Sequence, residues 1–128
     1  AVLEPGDHST TVGGGGMAFA VALEVLRIME EEDLPGRAGR LGRELTALFS
    51  EWREKLPVIK EVRGLGLMLA LELSGPAKPV VETCLNRGLL INAVTPTAIR
   101  LLPPLNINKE DLEEGLEILY GVLAERGG

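Results

Sequence analysis

The sequence predicts an α+β fold: a two-layer domain in which a small, mainly antiparallel sheet of roughly three strands is covered by helices. Three observations carry this. Apolar residues recur at spacings of three and four over several stretches, as in helices that bury one face. Leu65–Leu73 alternates strictly, with leucine at every odd position, which is the signal of a half-buried strand. The elements then follow in the order α-α-β-α-β-β-α, with short links and no internal repeat.

Residues 1–16 form a Gly/Ser/Thr-rich leader. Gly6-Asp7-His8-Ser9-Thr10-Thr11-Val12 runs into Gly13-Gly14-Gly15-Gly16. Four consecutive glycines lose much chain entropy on ordering. Directly before a helix they also let backbone N–H groups approach an anion closely, and the hydroxyls of Ser9, Thr10 and Thr11 add donors. A flexible leader with a Ser/Thr cap is the other reading, and in isolation the leader is expected to be unordered.

The main body is residues 17–128. Met17–Glu32 reads as a helix, apolar on most of its circumference early on, so its first half is expected to be well buried. Its acidic end, Glu30-Glu31-Glu32, opposes the helix dipole. A second helix runs from about Pro35 to Leu56, with Leu41, Leu45, Leu48, Phe49, Trp52 and Leu56 as its inner stripe. Gly36, Gly39 and Gly42 weaken its first turns. Val58–Gly64 leads into the Leu65–Leu73 strand, whose leucine face should meet the helices. Its Gly66, Met68 and Ala70 face is smaller and suits packing on something beyond this chain. Lys78–Arg87 makes a short helix stopped by Gly88, Leu89–Asn92 a short buried strand, and Ala98–Leu102 a further strand. Asn108 caps a last helix starting at Lys109, with Asp111 at N3 and Leu112, Leu116, Leu119 and Leu123 inside.

Composition narrows the function. The 128 residues suit one domain with a real core. A net charge of −6, no basic run and four aromatic residues argue against nucleic acid. No apolar run reaches the length of a membrane helix, and no signal peptide opens the chain; a cytoplasmic address is expected. The single cysteine, Cys84, and the single histidine, His8, provide neither a disulfide nor a metal constellation. The start at Ala1, without an initiator Met, points to a piece of a longer protein.

One stretch stands out: Ala98-Ile99-Arg100-Leu101-Leu102-Pro103-Pro104-Leu105. A guanidinium never loses its charge, and burying it without an anion is costly. Arg100 is then either the solvent-facing alternate of a strand or a carboxylate clamp, its planar fork meeting both oxygens of an acid.

Taken together, Gly6–Gly14, Glu61-Val62-Arg63-Gly64-Leu65-Gly66-Leu67-Met68, Gly88-Leu89-Leu90-Ile91-Asn92 and Ile99–Leu105 resemble the C-terminal portion of a class III, pyridoxal-phosphate-dependent aminotransferase. Within that class the chain is most similar to acetylornithine aminotransferases. The resemblance covers nearly the whole chain in order. It implies a dimeric, fold-type I enzyme that moves the δ-amino group of N-acetylornithine to 2-oxoglutarate in arginine biosynthesis. It implies that Arg100 binds the substrate carboxylate and that Thr11, with Thr10 beside it, binds the cofactor phosphate of the partner subunit. Two departures are visible: Gly15-Gly16 stands where the family has Asn-Pro, and Val12 where it has an aromatic residue. A proline would pre-set the first helical turn, so its loss implies a looser leader.

A pyridoxal enzyme also needs a lysine to carry the cofactor. Lys55, Lys60, Lys78 and Lys109 lie outside the family's cofactor-lysine context, so that lysine is expected in an N-terminal cofactor domain and no catalytic residue is assigned here. The chain alone is expected to bind no cofactor and to be inactive. Its partners would be that domain, a second copy of the enzyme, and small amino-acid and oxo-acid substrates. The alternative is a stand-alone, non-enzymatic α+β module that binds a small carboxylate or a protein partner.

Overall fold

A computed structural model of the chain describes residues 14–126. The chain divides into two compact units, Ala1–Leu34 and Pro35–Gly128, and each is described by itself.

The first unit contributes α1, Gly16–Glu31, with Gly15 extended as its N-cap. No residue of α1 is buried, and Phe19 and Leu23 are 64% and 70% exposed. This corrects the expectation of a buried first half. The apolar pattern is present, but periodicity reports only that a surface is suited to burial; the cover has to come from somewhere else. On its surface Arg27 bridges Glu24 at 2.6 Å and Glu31 at 2.5 Å, exposed pairs of small energetic weight.

The second unit is the α+β body. It comprises α2 (Leu34–Lys55, which begins at the unit boundary), β1 (Ile59–Leu65), β2 (Met68–Leu73), α3 (Lys78–Asn86), β3 (Asn92–Ala93), β4 (Ala98–Leu101) and α4 (Lys109–Ala124). The sheet has four strands in the order β1-β2-β4-β3, every neighbouring pair antiparallel.

The fourth strand comes from a turn inside the leucine alternation. Leu65 pairs with Met68, so Gly66-Leu67 is a two-residue hairpin loop. Gly66 sits there at φ +56°, where a hairpin matched to the strand twist favours glycine. The alternation misleads because Leu67, in the loop, still turns inward and is buried, whereas Leu65 is 90% exposed. A second difference lies at Leu89–Asn92. Strand pairing begins only at Asn92, and Leu90 is exposed.

Alternation then assigns the faces. Leu69, Leu71, Leu73 and Ile99 are buried on one side, in a single core with Leu45, Phe49 and Trp52 of α2, Val80 and Cys84 of α3, and Leu119, Val122 and Leu123 of α4. Trp52 stands edge-on between Phe49 and Tyr120, with ring centroids 5.1 and 5.0 Å away. Two ends follow the sequence closely. Gly88 at φ +93° stops α3. Asn108 caps α4, its Oδ1 accepting from the Asp111 N–H at 2.7 Å.

Gly42 has a purpose that its low helix propensity hides. A Cβ at this position would overlap the backbone of Gly66, so the missing side chain lets α2 lie directly on the β1–β2 turn. Gly42→Ala should therefore destabilise the fold by about 1–3 kcal/mol, the usual range for overpacking, instead of stabilising it as at an open helical site. Urea unfolding measures this; an unchanged or raised midpoint would contradict the close approach.

Candidate functional site

The sheet face opposite the core carries the charged side chains of the strands. Register aligns one row across all four strands: Arg63 of β1 opposite Ala70 of β2, Ala70 opposite Arg100 of β4, and Arg100 opposite Asn92 of β3. Directly opposed residues share a face, so two guanidiniums and an amide stand in line with only a methyl group between the arginines. On one flank lies an apolar margin of Leu65 and Met68, both exposed. On the other flank lie Glu61, opposite Glu72, and Glu72, opposite Ala98.

Arg100 is half-buried. Its neighbour Ile99 is fully buried on the core side, and strand alternation turns the arginine away from that core. Alternation thus explains its direction but not its surroundings. Its Nε is buried and has no hydrogen-bond partner; among the described residues no other buried side-chain nitrogen or oxygen is left in this state. An orphaned buried donor costs on the order of 1–3 kcal/mol, a cost that an arriving carboxylate would remove.

Arg63 is the opposite case. Its guanidinium donates to Glu72 Oε2 at 2.8 Å and lies 3.7 Å from Glu61. The other oxygen of Glu72 accepts from Thr97 Oγ1 at 2.5 Å. The Thr97 hydroxyl, and after it Arg63, hold the Glu72 carboxyl below the usual carboxylate range, while Glu72 raises Arg63 further. Thr97 belongs to a loop fixed from within, where Thr95 Oγ1 accepts from the Ala98 N–H at 2.9 Å and Pro96 O from the Ala77 N–H at 2.8 Å. Glu72 therefore ties β1, β2 and the entry to β4 together three residues before Arg100. Sequence reasoning quoted Arg63 but gave it no role, and passed over Glu72 and Thr97. The available signal was charge at the outward positions 61, 63 and 72 of otherwise apolar strands.

The remaining candidates fall elsewhere. Thr10 and Thr11 lie outside the described residues. Cys84 is buried in the core, where desolvation pushes its thiol up and leaves it unreactive. Among the described residues no group of three or more His, Cys, Asp or Glu is placed to hold a metal, and no helix is long and apolar enough to cross a membrane. A cavity of about 330 Å³ opens on the helix side of the sheet, between Leu89, Leu102, Pro104 and Leu116. Its one acid, Asp111, already accepts from Asn108 Nδ2 at 2.8 Å.

All four lysines are exposed, Lys78 and Lys109 at 84% and 79% of their side chains. A lysine that carries pyridoxal phosphate is made reactive by desolvation or a neighbouring cation. The described residues therefore do not fit the cofactor's covalent site.

Comparison with known proteins identifies the class of the chain. The aminotransferase class-III family model matches residues 1–123, and the chain belongs to that family. Among curated relatives, an ornithine aminotransferase of Exiguobacterium sp. is 40% identical over 126 residues, which are 97% of this chain and 30% of the relative. An acetylornithine aminotransferase of Methanothermobacter thermautotrophicus is 32% identical over 122 residues, 95% of this chain and 31% of the relative. Among solved structures, an acetylornithine aminotransferase from Elizabethkingia anophelis superposes with a TM-score of 0.84 at 32% identity, covering 96% of this chain and 33% of that one. The ornithine δ-aminotransferase of Plasmodium falciparum gives the same score and identity, with 98% and 33% covered. The chain spans about 30% of the length of the curated relatives it matches, and is a fragment of an aminotransferase.

The Glu72 cluster carries a pH dependence of known sign. A carboxyl whose pKa is lowered on folding adds stability above its unfolded pKa and loses it as the pH falls through the folded value. Stability should thus decline as the pH drops below the ordinary carboxylate range, and Glu72→Gln should flatten that decline while lowering stability at neutral pH. Urea midpoints collected across pH 3–7 measure both effects; an acid limb no flatter in Glu72→Gln would contradict this assignment.

Proposed function

We propose that the chain is the C-terminal part of a pyridoxal-phosphate-dependent aminotransferase acting on ornithine or its N-acetyl derivative, and that Arg100 grips the substrate carboxylate. The observation that carries this reading is the buried Nε of Arg100 without an acceptor, on a sheet face lined with further polar groups. A fork of N–H donors in a partly dry site suits a planar carboxylate better than any neutral ligand. The reacting group is the δ-amine common to ornithine and N-acetylornithine, and the acceptor is an oxo acid such as 2-oxoglutarate. Names of relatives support both donors, with the ornithine enzymes at 40–42% identity and the acetylornithine enzyme at 32%. The sequence motifs favour N-acetylornithine, which would place the enzyme in arginine biosynthesis.

The cofactor supplies the electron sink for amino-group transfer. The lysine that holds it belongs to the remainder of the polypeptide, and the fragment alone is inactive. Residues of this chain bind and orient: Arg100 fixes the carboxylate end of the substrate, and Thr11, with Thr10, donates to the cofactor phosphate of the partner subunit in a homodimer. Those roles for Thr10 and Thr11 rest on the family motif alone.

In the complete enzyme, Arg100→Gln should raise KM for the amino and oxo acids about 10²- to 10³-fold, the range expected when one partner of a buried charge pair is removed. Arg100→Lys should recover only part, since an ammonium cannot make the fork. Steady-state kinetics with ornithine and N-acetylornithine measure the loss and rank the donors, and the isolated chain, assayed alongside, should give no turnover. Unchanged KM values in Arg100→Gln would overturn the carboxylate role.

A further inference from the structure

We propose that Asn92 is a second substrate-binding residue, its side-chain amide donating to the substrate carboxylate beside the Arg100 fork. The inference rests on the reading of Arg100 as the carboxylate clamp and adds a neighbour to it.

Strand pairing brings the two side chains together. Asn92 of β3 stands directly opposite Arg100 of β4, and directly opposed residues share a face with Cβ atoms about 4.5–5.5 Å apart. Ile91, one residue earlier, is buried in the core, so alternation turns Asn92 to the charged face. The pairing is closed at its end, where the Val94 N–H donates to Ala98 O at 2.9 Å. That bond lies just beyond the Ala93–Ile99 pair and keeps β3 from sliding along β4.

The other register neighbours of Arg100 have nothing comparable to offer a substrate. On the β2 side its opposed residue is Ala70, a methyl group with no hydrogen bond to give. Two residues along β2 in either direction stand Met68, a thioether, and Glu72, a carboxylate that can only accept and already bonds Arg63 and Thr97. Of these neighbours Asn92 alone carries N–H donors. It is exposed, and its amide makes no hydrogen bond among the described residues.

A carboxylate has more acceptor positions than one guanidinium uses. Its two oxygens offer about four lone-pair sites, and a bidentate arginine takes two of them. Asn92 Nδ2 reaches a third from the side opposite Ala70. A neutral donor does this without setting a second cation against Arg100.

The test uses the complete holoenzyme and glutarate, a dicarboxylate with no carbonyl to react, titrated calorimetrically. Asn92→Ala should weaken glutarate about tenfold, the loss of one hydrogen bond to a charged group. Asn92→Asp keeps the shape but turns a donor into a like charge, and should cost about tenfold more. Asn92→Lys restores a donor and adds attraction, so it should bind glutarate at least as tightly as the parent enzyme. KM for the oxo acid should follow the same order. A merely structural role would weaken all three variants without regard to charge. Should Asn92→Ala melt at the assay temperature, the Asp and Lys variants decide by their opposite displacements from the parent. Full affinity in a folded Asn92→Ala enzyme, or Asp and Lys variants of equal affinity, would overturn the proposal. Arg100→Gln, run in parallel, separates the two readings. If it leaves glutarate affinity unchanged, the clamp itself fails; if it abolishes binding while the Asn92 variants match the parent, only the role of Asn92 fails.

Discussion

The structure depends on a sheet that buries one face and leaves the other to carry charge. Leu69, Leu71, Leu73 and Ile99 commit one side of β2 and β4 to the core with α2, α3 and α4. Because side chains alternate, that commitment sends Ala70, Glu72 and Arg100 to the other side without further instruction. A one-residue slip between β2 and β4 would exchange the two sets and put a guanidinium into the leucine core. The hydrophobic effect thus sets the register, and the register sets the site.

What the open face can do follows from how its charges are shared. Two arginines flank one strand that carries one central carboxylate, and the hydrogen bonds are distributed unequally. Arg63 is satisfied by Glu72, with Glu61 close by, whereas Arg100 retains a buried donor with no acceptor. A satisfied ion pair stabilises a fold; an unsatisfied donor is tolerated where a ligand completes it. The apolar margin of Leu65 and Met68 beside the row is suited to a covering surface. The fragment's share of its relatives' length, about 30%, leaves ample polypeptide to provide one.

Much of this was legible in the sequence, for physical reasons that differ by element. The last helix announced itself through Asn108 and Asp111, because a cap is a local interaction written in adjacent residues. Gly88 marked the end of α3 for the same reason. Arg100 was conspicuous as one charge inside an apolar strand, and its neighbours tied it to the aminotransferase family. The hairpin at Gly66-Leu67 was hidden because Leu67 keeps the alternation going through the turn and only one glycine signals the reversal. The Arg63–Glu72–Thr97 cluster was hidden because it joins three separated segments, and strand register cannot be read along a single chain. The burial expected of α1 failed for another reason: the sequence shows which surface wants a cover, while the cover is a property of the surroundings.

The most direct test of the central claim is a crystal structure of the complete enzyme with glutarate bound. The account predicts a carboxylate meeting Arg100 through Nε and a terminal nitrogen, at about 2.7–2.9 Å, while Glu72 remains on Arg63 and Thr97. A glutarate bound away from Arg100, with the Arg100 fork closed by a carboxylate of the protein, would contradict it.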